Sequence, residues 1–210
     1  EPTVEPTEEP TEEATEVAMV EATEEPTEEP TEEPATGGDF DTSGFVEFES
    51  PEGGYSLLHP EGWTAEGLFG FTVFASDPAL LESDSTPDDG VIMLAIGAPR
   101  EEFEGQSTDE IIDELISEFT PAANAEEVTV VSGPEELLIN DQEAVTATIT
   151  GEAEDGEEVT VVVTIIFGET QSVFLIGVTP SAVADQYLET IAAVTSTVSV
   201  FESSLNLEDL

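Results

Sequence analysis

The sequence predicts an α+β domain in which an antiparallel sheet is flanked by helices, an α/β/α sandwich, behind a disordered N-terminal tail. Residues 1–38 are rich in Pro, Thr and Glu, whereas residues 39–210 hold short β-branched runs separated by Gly-containing turns and two segments with apolar residues at helical spacing. About 170 residues follow the tail, which is enough for one domain with a sizeable core. We therefore divide the chain into a linker, 1–38, and a single domain, 39–210.

The linker repeats a short acidic unit, as in "EPTEEPTEEATE" and "ATEEPTEEPTEEPAT". Frequent Pro prevents helix and ladder hydrogen bonds and the Glu side chains repel one another, so we expect a disordered, extended segment. The composition resembles the spacers of bacterial surface lipoproteins. That resemblance implies a domain displayed at the cell surface or secreted, and an anchor through an upstream lipidated residue.

Strands are predicted first along the domain. "FVEFES" (45–50) alternates apolar and polar residues, and "SPEGG" supplies a turn before "YSLLHP" (55–60). Two short strands, Trp63–Leu68 and Phe71–Ser76, follow, and an acidic loop then leads to the buried strand "VIMLAIGAP" (91–99).

Helices are predicted at two places around a four-stranded meander. In "STDEIIDELISEFTP" (107–121), Ser107 and Glu110 form a capping box, and Pro121 ends the helix. Four β-branched runs between 127 and 180 then form an antiparallel meander whose central strands are apolar on both faces, so layers must cover both. The segment "SAVADQYLETIAAVTSTVSV" (181–200) fits an amphipathic helix covering one face.

The stretch "GYSLLHPEGW" (54–63) resembles a motif of the PsbP-like superfamily: a Gly-aromatic strand, then Pro, Gly and Trp. "LLINDQEAVTATI" (137–149) is similar to a later strand of that family, and the resemblance covers about residues 45–201. It implies an antiparallel sheet between helices, with Tyr55, Pro60, Gly62 and Trp63 as fold-defining positions. The best-studied members are binding or assembly proteins, which implies that the chain is not an enzyme. The photosynthetic member docks through basic residues, a pattern this chain does not share.

The charge of the chain excludes several partners. There are 51 Asp and Glu residues against a single Arg100, and 37 of the acids lie beyond residue 36. Nucleic acid and anionic membrane surfaces would repel such a chain, which leaves cations and neutral or basic protein surfaces as partners. Solubility in high salt is the alternative explanation of the acidity. The absence of Cys excludes disulfides and thiolate chemistry.

One acidic segment, residues 39–50, matches half of a calcium loop. Asp39, Asp41 and Ser43 fall at positions 1, 3 and 5 of such a loop, Gly44 falls at the turn position, and Glu47 also fits. Position 12 is Ser50 instead of the bidentate Glu. We take Asp39, Asp41, Ser43 and Glu47 as candidate calcium ligands, calcium being the one cofactor considered; the alternative is a flexible segment leading into a strand.

The sequence offers two further candidate sites, an acidic loop and the single histidine. The acidic loop with Glu82, Asp84, Asp88 and Asp89 is a second candidate cation site, or a solvated loop. His59, the single histidine, lies in a predicted strand before Pro60, and the chain has no G-x-S-x-G nucleophile motif. We therefore interpret His59 and Trp63 as packing residues.

The sequence favours a non-catalytic extracytoplasmic binding or accessory domain on an acidic spacer, with no assignable ligand. The alternatives are a calcium-dependent surface protein and a hydrolase that uses buried carboxylates. A binding domain predicts an exposed apolar patch near the run "LFGFTVF" (68–74).

Overall fold

The structure is a computed structural model that describes residues 35–36, 38, 40–82, 88–103, 105–108, 110–113, 128–153 and 156–204. Its strands are β1 (Ala35–Thr36), β2 (Phe45–Ser50), β3 (Tyr55–Pro60), β4 (Thr64–Leu68), β5 (Phe71–Ala75), β6 (Ile92–Pro99), β7 (Val128–Ile139), β8 (Gln142–Glu152), β9 (Glu158–Phe167), β10 (Gln171–Pro180) and β11 (Ser199–Val200). Helix α1 spans Ala184–Ser196, and short 3-10 turns lie at Pro78–Leu81, Arg100–Phe103 and Ser181–Val183.

Within the described residues, eight strands form one sheet in the order β1-β7-β8-β9-β10-β6-β5-β4. The predicted meander is its centre, and β6, β5 and β4 continue it beyond β10 through antiparallel pairs. At the other end β1, whose residues the sequence assigned to the linker, pairs in parallel with Leu137–Leu138 of β7. Among the described residues, β1 and β4 are therefore the edge strands of the large sheet.

The central strands β8 to β10 are apolar on both faces, as the sequence predicts. Alternate residues of each strand point to opposite sides, so Ile166 and Leu175 enter one core while Ile165 and Ile176 enter a second. All four side chains are at most 1 % exposed. The sheet is therefore the middle layer of the domain.

Helix α1 and a second sheet cover the first face. Ile191 and Val194 of α1 pack into that core, and Gly177 of β10 lies directly beneath Ile191, where a Cβ would come within 2.9 Å of its side chain. Beside the helix, β11, β3 and β2 form a three-stranded antiparallel sheet. The sequence identified these strands as elements but not as a separate sheet.

The described start of the predicted first helix covers the second face. Residues 108 and 110–113 are helical, and Ile111 and Ile112 are buried in the second core. The capping box is confirmed: the Ser107 N–H donates to the Glu110 carboxylate at 2.9 Å, and the Glu110 N–H donates back to Ser107 Oγ at 3.4 Å. The rest of the predicted helix, residue 109 and residues 114–121, lies outside the described residues.

The fold-defining motif joins the two sheets. Tyr55 is fully buried and its hydroxyl donates to Thr72 Oγ1 at 2.6 Å, linking β3 to β5. The Trp63 ring packs against the first core. Layers on both sides of an antiparallel sheet confirm the predicted α+β class.

The C-terminal helix is shorter than the sequence predicts. It ends at Ser196, and Ser199–Val200 form β11 instead. The side-chain amide of Gln142 exchanges two 3.1 Å hydrogen bonds with the Val200 backbone. Because this side chain satisfies the Val200 N–H and C=O, the segment runs extended along β3 instead of continuing the helix.

Candidate interaction surface

The turn between β4 and β5 places an aromatic residue in an unusual backbone conformation. Leu68 pairs with Phe71, so the turn consists of Phe69 and Gly70, with φ of 52° and 82°. Two positive φ values in a two-residue hairpin define a type I′ turn, which normally takes Asn, Asp or Gly at its first central position. A bulky Phe at that position is strained.

Three large apolar side chains at this turn face solvent. Leu68 is 66 % exposed, Phe69 69 % and Phe71 40 %. We call residues 68–71 the hairpin tip. An exposed apolar patch therefore lies at "LFGFTVF", as the binding-domain hypothesis requires, and contiguous exposed apolar surface is typical of interaction sites.

Close backbone contacts hold the base of the hairpin tip. The Gly97 N–H donates to the Gly70 carbonyl at 3.2 Å. A Cβ at Gly97 would lie 1.9 Å from the Gly53 carbonyl oxygen, and a Cβ at Gly53 would lie 2.8 Å from the Gly70 oxygen. Gly53, Gly70 and Gly97, from three separate parts of the chain, form what we call the glycine platform. It fixes the position from which Phe69 projects.

The hairpin tip lies at an open end of the large sheet. Within the described residues, β4 is the last strand, and Glu66, Gly67 and Leu68 on it are exposed. β1 lies seven strands away, roughly 33 Å along the sheet at the usual strand spacing. The tip is thus presented at the end of the sheet opposite to β1.

Carboxylates border the hairpin tip. A shallow depression of about 450 Å³ lies between the tip and the β2–β3 turn, and Glu49, Glu52 and Leu68 are among its lining residues. Glu49, Glu52 and Glu66 are all exposed. The surface thus combines protruding apolar side chains with an acidic border.

Of the candidate calcium ligands that the structure describes, Asp41 and Ser43 contact each other, and Glu47 lies on β2. Asp39 lies outside the described residues. The Asp41 carboxylate accepts the Ser43 N–H at 2.9 Å, and hydrogen bonds from Ser43 lower the pKa of Asp41. Glu47 is exposed on β2, opposite Leu58. In the described ranges no three His, Cys, Asp or Glu side chains lie close enough to hold a metal ion, so the calcium hypothesis stays a prediction.

Among the described residues of the acidic loop, Asp89 binds a side chain of helix α1. Asp84 lies outside the described residues, and Glu82 and Asp88 are exposed. The Asp89 carboxylate accepts the Tyr187 hydroxyl at 2.8 Å, a hydrogen bond that raises the pKa of Tyr187. Asp89 thereby ties α1 to the segment before β6.

His59 is a packing residue, as the sequence predicts. It is 6 % exposed, and its ring centroid lies 5.3 Å from that of Phe74. Burial lowers the pKa of His59, opposed by the hydrogen bond that Nδ1–H donates to the Pro60 carbonyl at 3.1 Å.

In fold, the chain is similar to solved structures that include a PsbP protein. The cyanobacterial PsbP (CyanoP) of Synechocystis sp. PCC 6803 is similar with a TM-score of 0.56 and 14% identity, over 75% of this chain and 93% of that one. LpqN of Mycobacterium tuberculosis, involved in cell envelope biogenesis, gives a TM-score of 0.49 and 11% identity over 81% and 90% of the chains. PA94 of Pseudomonas aeruginosa, of unknown function, gives 0.47 and 9% over 76% and 99%.

The likeness to CyanoP confirms the fold that the sequence motif implied. No family model and no curated protein matches the chain. In the part of the chain that the structure describes, no helix is both long and apolar enough to cross a membrane.

Proposed function

We propose that this chain is a non-catalytic, extracytoplasmic binding or accessory domain that docks on a partner protein through the hairpin tip. The observation that carries the proposal is Phe69, a 69 % exposed aromatic residue held at positive φ. The fold gains little from such a residue, since the ring is mostly in water and the backbone is strained. A contact outside the domain accounts for both features.

The border of the tip specifies the chemistry of the partner. Exposed Glu49 and Glu52 line the depression beside Leu68, and exposed Glu66 lies two residues before it on β4, so we expect the complementary surface to be an apolar recess bordered by Lys or Arg. Aromatic anchors in such recesses dominate the free energy of binding at protein interfaces. The glycine platform keeps the tip in place, which reduces the ordering entropy that binding must offset.

The charge disfavours two other occupants. A second copy of the chain would bring together two molecules with a formal charge of −50 each. An anionic membrane would repel the same charge. The Thr-Glu-Pro composition of residues 1–34 supports display outside the cytoplasm through its resemblance to lipoprotein spacers.

Photocrosslinking tests this proposal. Phe69 is replaced by p-benzoylphenylalanine in the full chain, and Val131, 60 % exposed on β7 near the other end of the sheet, is replaced in a matched control. In cells that make the protein, position 69 should give a discrete adduct with one protein that is absent from position 131. That protein, once purified, should bind the unmodified chain.

Three results would contradict the proposal. They are the same adducts from both positions, a dimer of the purified chain in sedimentation that Phe69→Asn abolishes, and flotation with phosphatidylcholine vesicles that depends on Phe69. The last two would assign the hairpin tip to self-association or to lipid.

A further inference from the structure

Arg100 is the single Lys or Arg residue of the chain, and it lies in a cleft on the face of the large sheet that carries the second core. Arg100 follows β6, and its backbone N–H donates to the Thr170 carbonyl at 3.0 Å. Its guanidinium carbon lies 4.1 Å from the centroid of the Phe167 ring. Such stacking orients the guanidinium while leaving its N–H edge available to acceptors.

The acidic neighbour of Arg100 engages it weakly. Arg100 Nη2 lies 3.8 Å from Glu143 Oε2, beyond hydrogen-bond distance, and the Glu143 side chain is 80 % exposed. Exposed ion pairs of this length contribute little to the free energy of folding. A ligand carboxylate could therefore take the guanidinium edge without breaking a strong contact.

The cleft combines this guanidinium with a carboxylate and apolar walls. It has a volume of about 260 Å³, and Phe103, Ile111 and Val145 are among its lining residues. On its rim, the Glu136 carboxylate accepts the Thr108 hydroxyl at 3.1 Å through Oε1. Its other oxygen, Oε2, is the atom we assign to a ligand cation. Cavities for drug-sized ligands measure roughly 300–1,000 Å³, so this cleft suits a smaller molecule.

The charges of cleft and chain define the ligand class. A free anion would be repelled by a chain with a formal charge of −50. A simple amine would be attracted, but it has no carboxylate to bind the Arg100 guanidinium. A zwitterion has no net charge to be repelled and matches both groups. We propose that the Arg100 cleft binds a free α-amino acid with an apolar side chain: its carboxylate on Arg100, its ammonium on Glu136 and its side chain against Phe103, Ile111 and Val145.

Calorimetric titration of the full chain with three probes of similar shape tests this. The probes are L-phenylalanine, phenethylamine, which lacks the carboxylate, and 3-phenylpropionate, which lacks the ammonium. L-Phenylalanine should bind with one site and each analogue at least about tenfold more weakly, as expected for loss of one charge-assisted hydrogen bond. Equal or tighter binding of phenethylamine would overturn the proposal in favour of general cation attraction, and no binding of L-phenylalanine would also overturn it.

Two variants locate the site. Arg100→Gln should weaken L-phenylalanine at least about tenfold and leave phenethylamine unchanged. Glu136→Gln, at an exposed rim position, should weaken L-phenylalanine but not 3-phenylpropionate, and it keeps the test decisive if Arg100→Gln unfolds. Unchanged affinity for L-phenylalanine in the folded variants would refute the assignment. Phe69→Asn should not alter this binding, so the cleft and the hairpin tip are tested separately.

Discussion

Gly97→Ala tests how the hairpin tip is held. The new Cβ would lie 1.9 Å from the Gly53 carbonyl oxygen, so the β2–β3 turn must move by at least about 1.1 Å to reach even a tight 3.0 Å contact. Overpacking of this kind costs about 1–3 kcal/mol, and the upper end applies here because the obstacle is backbone. A loss of about 3 kcal/mol corresponds to a fall of about 6–12 °C in Tm for a domain of this size.

Gly44→Ala is the matched control. Gly44 has a φ of 86°, and a Cβ there would meet nothing within 4 Å. Gly44→Ala therefore adds backbone strain without a clash and should lower the free energy of unfolding by about 1 kcal/mol, or Tm by about 2–4 °C. Calorimetric melts give both values, and hydrogen exchange at the Gly97 amide, bonded to Gly70, should accelerate only in Gly97→Ala. Equal losses in the two variants would refute the glycine platform.

Three further predictions concern stability. The pKa of His59 is lowered in the folded state, so the unfolded chain takes up the proton first as pH falls below about 6.5. The free energy of unfolding should therefore decrease in that range by at most about 1.4 kcal/mol per pH unit. In urea melts His59→Gln should lack this pH dependence, and the same dependence in the variant would contradict the assignment. Tyr187→Phe removes the hydrogen bond to Asp89 and should lower stability by about 0.5–1.5 kcal/mol in urea melts at neutral pH, whereas an unchanged midpoint would show the contact to be inert. Sodium chloride should raise Tm by screening the repulsion among the acidic side chains; calcium chloride at equal ionic strength tests the calcium hypothesis, because only a specific site would give a larger rise in Tm that Asp41→Asn removes.

Local patterns predicted most of the elements. The strands of the meander follow from β-branched runs between turn residues, and the capping box at Ser107 and Glu110 follows from their spacing. Each signal lies within a few residues of the structure it specifies. The sequence also indicates the exposed apolar hairpin tip, because residues 68–71 contain a Leu and two Phe and lie between two short predicted strands.

Long-range contacts explain what the sequence did not predict. The pairing of β6 with β10, which enlarges the sheet, joins segments far apart in the chain. The glycine platform depends on Gly53 and Gly97 meeting across two sheets, and nothing local to either glycine indicates its partner. β11 is extended because Gln142 binds the Val200 backbone, so the helical periodicity of that segment was overridden by a tertiary contact.

The affinity of the crosslinked partner for wild-type and Phe69→Asn chains tests directly whether the hairpin tip is the docking site. Asn is favoured at this turn position, and the ring it replaces is 69 % exposed. Tm should therefore stay within about 2 °C of wild type, as relief of strain offsets the small loss of burial. Loss of a Phe anchor should cost about 1–2 kcal/mol of binding, or roughly 5–30-fold in Kd. An unchanged Kd in a folded Phe69→Asn chain would contradict docking through the hairpin tip.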